Sequence, residues 1–242
     1  MCSVMDERPM PSLQRLTFFD HINVYLLATP RGPVLVDSAA PGMFGWLVRS
    51  LGRVGLAPQD LAGVVVTHFH LDHVGTAARL RGLGVPVYAL LEEVPILAGR
   101  EPHSGYGGLA GRALLAVEKA VFGSPQLSGV QPLRAGNALF DTTWRVLAAP
   151  GHTPGSLALF DEKDGDLLSG DTLVSDFAWP RGPHPLFTAD YPRAVASALE
   201  LLALGPSRIH PGHGKPLPAT AYGAVRDRLR SRPDRTGDDR RP

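Results

Sequence analysis

The sequence predicts an α/β domain in which helices cover the sheets. Short apolar runs between turn residues predict strands, and apolar residues spaced three and four positions apart predict helices. The strand-like runs first follow one another and then alternate with helical segments. The uninterrupted apolar run at 62–67 is typical of a strand that is buried on both faces.

These patterns, with the turn residues that separate them, give the elements in order. A Thr-Pro-Arg-Gly-Pro turn at 29–33 separates the second and third strands. In segment 109–122, Leu114, Val117 and Val121 share one helical face. We predict strands at 16–19, 24–28, 34–36, 62–67, 85–89, 143–149, 156–160, 166–169 and 208–210, and helices at 43–53, 74–81, 109–122, 191–204 and 219–229.

Length and composition exclude several classes of protein. The 242 residues are 44% apolar and 19% charged, which is ordinary for a globular chain and excludes a disordered one. A net charge of +1 argues against a dedicated nucleic-acid or membrane surface. No uncharged apolar run approaches roughly 18 residues, so no transmembrane helix is expected. Acidic residues stand where a signal peptide would need a basic flank.

The single cysteine and the polar C-terminal sequence suggest a compartment and a domain boundary. Cys2 has no partner with which to form an internal disulfide, so we expect a reducing, cytoplasmic location. We expect one domain over residues 1–230. The last segment, 231–242, has no apolar residue except its prolines and is expected to be a solvated tail.

The segment 67–73, Thr-His-Phe-His-Leu-Asp-His, places three histidines and an aspartate within six residues. In an extended segment His68 and His70 point to the same side. Asp72 and His73 fall on the turn into a helix and can face the same point. Neutral imidazoles and a carboxylate suit a borderline cation such as Zn²⁺. Without a metal, each desolvated group would cost about 1–3 kcal/mol unless hydrogen-bonded.

Three later positions have the same setting at the end of a predicted strand. His152 lies in a Gly/Pro turn, Asp171 follows an apolar pair, and His213 lies in the sequence Ile-His-Pro-Gly-His. A glycine precedes each of them, which lets the backbone approach a crowded centre closely. Loops at strand ends are where a sheet positions catalytic groups, so these residues extend the predicted metal site.

Five sequence blocks in this order resemble the metallo-β-lactamase superfamily of metal-dependent hydrolases. They are VLVD, which ends at Asp37, then THFHLDH, GHTPGS, SGDT and HPGHG, and the resemblance spans about residues 16–229. It implies a four-layer αββα sandwich, in which two sheets pack face to face with helices outside. The predicted order of strands and helices is compatible with that architecture.

The resemblance also implies a ligand set for two divalent metal ions, zinc in the first place, with manganese and iron as alternatives. Asp171 would bridge the ions, and a hydroxide held by both would be the nucleophile, because a metal-bound water has a pKa of about 7. Asp72 is also the candidate catalytic residue that orients this nucleophile. His68, His70 and His152 would hold the first metal, and Asp72, His73 and His213 the second.

Four further residues have roles that the sequence leaves open. Asp37 either accepts an N–H from a ligand histidine or caps a turn before Ser38. Phe177, His184 and Tyr191 are candidates for the substrate pocket, because a long Pro-rich loop beside a metal suits a pocket wall, and packing roles are the alternative. Segment 101–129 is either a helical lid or an ordinary connection. His210 is not at one of the matching ligand positions and is expected to be structural.

The pattern favours hydrolysis of an ester, thioester or lactone of a small molecule. By the resemblance, Asp171 argues against a true β-lactamase, and His70 argues against a flavodiiron-type oxygen reductase. The bridging aspartate is similar to that of glyoxalase II. However, only 29 residues follow His213, which is too few for the glutathione-binding domain of that branch.

Two other classes of function stay open. One is a stand-alone RNase or phosphodiesterase of the same superfamily, which shares the ligands. The other is a mononuclear-iron persulfide dioxygenase, which resembles glyoxalase II but uses fewer ligands on one iron. We expect a small-molecule substrate rather than nucleic acid and no membrane partner, and the sequence leaves a homo-oligomer open.

Overall fold

The computed structural model describes residues 10–101, 106–122, 126–175 and 180–231. Its first sheet has six strands, which lie side by side in chain order from β1 to β6. The first three pair antiparallel, and the third to sixth pair parallel. Their bounds are β1 Leu13–Phe18, β2 Ile22–Leu27, β3 Val34–Val36, β4 Gly63–Val66, β5 Val87–Leu90 and β6 Gln131–Leu133.

The second sheet is built from the C-terminal half of the chain. The strands are β7 Trp144–Ala148, β8 Leu157–Asp161, β9 Asp166–Gly170, β10 Val174–Ser175, β11 Pro180–Gly182, β12 Arg208–Pro211 and β13 Leu217–Pro218. Five of them form the sheet in the order β13-β12-β9-β8-β7, and β10 and β11 form a separate hairpin. Only β9 and β12 pair parallel in this sheet, because helix α6 crosses between them.

The helices lie in the connections between strands. Helix α6 begins after Asp190, whose side chain accepts a hydrogen bond from the backbone N–H of Arg193 and so caps the helix. The helices are α1 Phe44–Gly52, α2 Leu71–Val74, α3 Ala77–Gly82, α4 Val94–Leu97, α5 Gly108–Phe122, α6 Tyr191–Ala203 and α7 Tyr222–Ser231. Short 3₁₀ turns cover Pro58–Asp60, Pro185–Phe187 and Ala219–Ala221.

Three apolar clusters show that the sheets are stacked between two layers of helices. Side chains alternate across a strand, so Val64 and Val66 of β4 pack with α1 and α3, whereas Val65 faces the other sheet. In β9, Leu167 packs with α6 and α7, and Leu168 faces the first sheet. The αββα architecture is confirmed, and with it the α/β class.

The structure differs from the predicted elements where an element is short or interrupted. The helix predicted at 74–81 is two helices, α2 and α3, separated by Gly75 and Thr76. Strands β6, β10, β11 and β13 were not predicted, because each has two or three residues and lacks the apolar run Val-Leu-Val that marks β3. Helix α7 extends to Ser231, and the rest of the predicted tail lies outside the described residues. None of the helices in the described ranges has the length and apolar character needed to cross a bilayer.

The loop after β7 depends on a glycine for its contact with helix α6. Gly151 has φ +126°, and a Cβ there would lie 2.1 Å from the backbone nitrogen of Ala194. Its carbonyl accepts a hydrogen bond from the N–H of Asp190. This close approach fixes the neighbouring His152 relative to the second sheet.

We expect Gly151→Ala to lower the free energy of unfolding by about 3 kcal/mol or more, because it adds strain and a backbone overlap. Gly82→Ala, at the end of α3, is the control, since a Cβ there meets nothing within 4 Å and we expect a change below about 1 kcal/mol. Urea denaturation measures both. Equal stability of the two variants would contradict the packing described here.

Candidate metal centre

All seven predicted ligands lie together at one edge of the sandwich. Four loops bring them there, and each loop begins at the C-terminal end of a strand: β4, β7, β9 or β12. Loops from both sheets therefore meet at this edge. His68, His70, His73, His152 and Asp171 are buried, and Asp72 and His213 are partly exposed.

The first group consists of three buried imidazoles. The Nε2 atom of His152 lies 3.2 Å from Nε2 of His68 and 3.0 Å from Nδ1 of His70. Ligand atoms bonded tetrahedrally to zinc at about 2.0–2.1 Å lie about 3.3 Å from one another. The three nitrogens therefore have the spacing of ligands around one small cation.

The second group consists of Asp72, His73 and His213. The Nε2 atoms of the two histidines are 3.3 Å apart. Asp72 Oδ2 lies 3.0 Å from Nε2 of His213 and 3.7 Å from Nε2 of His73. This group also has the spacing of a mononuclear cation site.

Asp171 lies between the two groups. Its Oδ1 is 3.4 Å from Nε2 of His73, and its Oδ2 is 3.2 Å from Nε2 of His213 and 3.7 Å from Nε2 of His152. The buried Oδ1 atom accepts no hydrogen bond from any described residue. A buried acceptor without a donor is costly, and a cation is the partner that this position suits.

Hydrogen bonds on the far side of two rings fix which nitrogen carries the proton. The hydroxyl of Thr67 donates to Asp37, so it can only accept from Nδ1 of His68, 3.0 Å away. Likewise the hydroxyl of Thr188 donates to a carbonyl and accepts from Nδ1 of His152 at 3.2 Å. Both rings therefore turn an unprotonated Nε2 toward the centre, which is the form that binds metal.

The other two Nε2 ligands are held in the same way. His73 Nδ1 lies 2.8 Å from Oδ2 of Asp37, and His213 Nδ1 donates to the carbonyl of His21. Asp37 also accepts the backbone N–H of Thr67 at 2.7 Å. Asp37 therefore accepts an N–H from a histidine of the cluster, as its first interpretation expected, and it also holds the loop that carries His68.

Two buried polar residues that the sequence analysis missed hold the loops in place. Glu93 accepts hydrogen bonds from the N–H of Phe69, the hydroxyl of Thr153 and the N–H of Gly155, at 2.8–2.9 Å, and so joins two ligand-bearing loops. Asn23 donates to the carbonyls of Pro211 and Gly214, on both sides of the loop that follows β12. No local pattern marks either residue, because their partners are backbone groups of distant loops.

Burial and charge divide the histidines into two kinds. Desolvation lowers the pKa of His68 and His70 well below the ordinary value and that of His152 to about 4, so these rings are neutral. Burial also disfavours charge on His73, but Asp171, Asp37 and Asp72 outweigh it and raise its pKa to about 10. The second group therefore attracts positive charge, which a metal ion can supply in place of protons.

A cavity of about 560 Å³ opens beside the cluster, and its wall tests the predicted pocket residues. His184 lines it, as do Tyr106 and Leu114 from the segment considered as a lid. Tyr191 does not. As the first residue of α6 it lies on the buried face of that helix and packs against the second sheet, which corrects its assignment to the pocket.

Two further residues were considered from the sequence. Phe177 is outside the described residues. His210 lies outside the cluster, where its Nε2 is 2.9 Å from Oδ1 of Asp166, in agreement with a structural role.

Proteins similar to this chain identify the family to which it belongs. The sequence profile of the metallo-beta-lactamase superfamily matches residues 17–213 of this chain. The chain belongs to the metallo-β-lactamase superfamily. It is 30% identical over 214 residues to the probable metallo-hydrolase YflN of Bacillus subtilis, with 81% of each chain covered. It is 33% identical over 201 residues to a hydroxyacylglutathione hydrolase of Anaeromyxobacter dehalogenans, covering 82% of this chain and 63% of that one.

Solved structures of the superfamily share the fold. A metallo-beta-lactamase family protein, TTHA1429 from Thermus thermophilus, aligns with a TM-score of 0.71 and 28% identity, covering 93% of this chain and 79% of that one. TTHA1623 in a di-iron-bound form aligns with a TM-score of 0.63 and 31% identity, covering 88% of this chain and 94% of that one. The relatives named as hydrolases support a hydrolase.

We expect Asp37→Asn to lower the affinity for Zn²⁺ about 10- to 100-fold. An asparagine must turn its NH₂ group toward either His73 or the N–H of Thr67, and both of these donate to Asp37. Competition with a chromophoric chelator measures the affinity. Asp161→Asn is the control, because Asp161 is also buried but lies at the far end of β8. Wild-type zinc affinity in the Asp37 variant would contradict this role.

We expect Glu93→Gln to lower the free energy of unfolding by about 1–3 kcal/mol, because its NH₂ group must face a backbone N–H of one loop or the other. Burial raises the pKa of Glu93 to about 7, so the carboxylate is already costly to bury and depends on its three donors. Urea denaturation measures the change. Its exposed neighbour supplies the control, Glu92→Gln, which we expect to change stability by less than about 0.5 kcal/mol. Equal losses in both variants would refute the assigned role.

Proposed function

We propose that this protein hydrolyses an ester, thioester or lactone of a small molecule, using two divalent cations held by the seven clustered side chains. One observation carries the proposal: two groups of ligand atoms are joined by Asp171, and members of both groups line a cavity large enough for a small substrate. A relative described in a di-iron-bound form and a relative named for hydrolysis of an acyl-glutathione support it.

The residues fit a pair of borderline cations. They offer five imidazole nitrogens and two carboxylates, which suit zinc, manganese or iron. His68 and His152 already turn an unprotonated nitrogen inward, and Oδ1 of Asp171 is buried without a donor among the described residues. When bound, such cations would supply a water that ionises near pH 7 and would polarise the carbonyl oxygen of the substrate.

The chain itself positions the reactants. The carboxylate of Asp72 is partly exposed on the cavity wall, where it can accept a hydrogen bond from the attacking water and orient it. His184 lies on the same wall, and its Nδ1 accepts the N–H of Leu186 at 3.3 Å, so the ring proton is on Nε2. This makes His184 the proposed hydrogen-bond donor to the oxyanion that forms at the substrate carbonyl.

The proposal is tested by metal content together with activity. We expect about two metal ions per chain and activity on at least one class in a panel of lactones, thioesters, phosphodiesters and RNA. We expect His68→Ala and Asp171→Ala to lose metal and more than about 100-fold in activity, while circular dichroism shows the fold intact, because each removes a ligand. His210→Gln is the control, since His210 lies outside the cluster and should keep both metal and activity.

Removal of the metal is a second test of the proposed function. A chelator should abolish activity, and Zn²⁺ or Mn²⁺ should restore it. Full activity in the Asp171 variant, or no recovery by chelated protein whose circular dichroism is unchanged, would overturn the proposal. A single iron per chain with oxygen consumption on a persulfide would favour the dioxygenase, and cleavage of RNA alone would favour the nuclease.

A further inference from the structure

The cavity beside the metal centre has an apolar wall that hydrolysis itself does not require. Helix α5 lines it with Leu114, Val117 and Val121, which are spaced along one helical face and are 40%, 60% and 66% exposed. An amphipathic helix ordinarily turns this face to a core. Here the face is left open to a concave site, which is the arrangement expected for an apolar ligand.

Aromatic side chains join this wall to the metal centre. The ring of Tyr106 lies 4.9 Å from that of His70 and 5.5 Å from that of Phe187, measured between centroids. Phe187 in turn lies 4.7 Å from His184. A substrate whose carbonyl group reaches the centre can therefore extend along a continuous apolar and aromatic surface.

The charges of the cavity disfavour an anionic substrate. Among the described residues that line it there is no lysine or arginine, and its carboxylates, Asp72 and Asp171, belong to the metal centre. The carboxylates of a glutathione conjugate or the phosphates of RNA would find no lysine or arginine among these described residues. An uncharged acyl chain does not need a cationic partner.

The wall is held against the loop that carries His184. The N–H of Gly107 donates to the carbonyl of Leu186 at 3.0 Å, and a Cβ on Gly111 would lie 2.7 Å from the same oxygen. The start of α5 therefore packs directly on the backbone of the 185–187 turn. This contact sets the distance between the apolar face and the metal centre.

We propose that this cavity binds an uncharged, linear acyl chain, so that the substrates of the proposed hydrolysis are medium-chain esters or lactones rather than glutathione conjugates. The inference rests on the proposed function for its reaction. The binding of the acyl chain is a separate claim. It depends on the apolar face of α5 and on the lack of lysine and arginine among the described residues that line the cavity. It can be measured without turnover.

The substrate series is para-nitrophenyl acetate, butyrate, hexanoate and octanoate, with the monoester of adipate as a charged match for hexanoate. We expect kcat/KM to rise with chain length by up to about fourfold for each methylene, mainly through KM. We expect kcat/KM for the hexanoate ester to exceed that for the adipate monoester by at least about tenfold. The proposal would be overturned if kcat/KM did not change with chain length, or if it were higher for the adipate monoester than for the hexanoate ester.

Variants of α5 locate the effect. Val117→Asp should lower the octanoate-to-acetate ratio of kcat/KM at least about tenfold, and Val117→Thr should lower it less. The matched control is Leu109→Asp on the same helix, because Leu109 is 86% exposed and is not part of the cavity wall. It should leave the ratio unchanged. Equal ratios in the Val117→Asp and Leu109→Asp proteins would refute the role of this face.

Binding separates this claim from the hydrolysis on which it rests. Calorimetry with the uncharged amides acetamide, hexanamide and octanamide on zinc-loaded protein should show affinity that rises with chain length and is lost in Val117→Asp. Such binding without turnover of any ester would overturn the proposed function and support the acyl-chain cavity. Turnover or binding that ignores chain length would overturn the acyl-chain cavity and leave the function standing.

Discussion

At one edge of this sandwich, polar groups that repel one another are held in close contact. The neutral rings of His68, His70 and His152 turn nitrogen atoms toward one another and toward Asp171 at 3.0–3.7 Å, largely out of contact with water. Such a cluster is unfavourable unless a cation or several protons lie within it. The rest of the local structure can be understood as what is needed to hold these groups together: hydrogen bonds behind the rings, glycines where the backbone must approach closely, and buried polar side chains that join the loops.

Three buried polar side chains hold the ligand-bearing loops of the two sheets, and each makes different contacts. Asp37, which follows β3, fixes the ring of His73 and the loop after β4. Glu93 joins the loop of β4 to the loop of β7, and Asn23 of β2 holds the loop of β12. Each is a buried polar group whose donors or acceptors are satisfied, so each adds rigidity rather than an orphaned charge. A metal ion would thus meet ligands that are already arranged, and little ordering would remain to oppose its binding.

Sequence reasoning succeeded where chemistry is encoded locally and did not succeed where it depends on distant packing. Three histidines and an aspartate in six residues are visible in the chain, and strand ends followed by glycine indicate where the remaining ligands lie. Glu93 could not be found in this way, because its partners are backbone N–H groups that any sequence has. Tyr191 was misassigned because its distance along the chain from Asp171 says nothing about which face of α6 it occupies. The apolar stripe of α5 was read correctly, but its orientation toward a cavity rather than a core is a tertiary property.

The reacting groups and the apolar wall are supported by different parts of the molecule. The clustered side chains lie at the ends of strands in two packed sheets, so a change in their surroundings disturbs buried contacts on both sides. The face of α5 is exposed, and its described anchor is the backbone of the 185–187 turn. Substitutions at Leu114, Val117 or Val121 therefore change the shape and polarity of the cavity with little loss of core packing. Under the proposed function, the rigid edge would determine which bond is broken, and the face of α5 would determine which substrates bind.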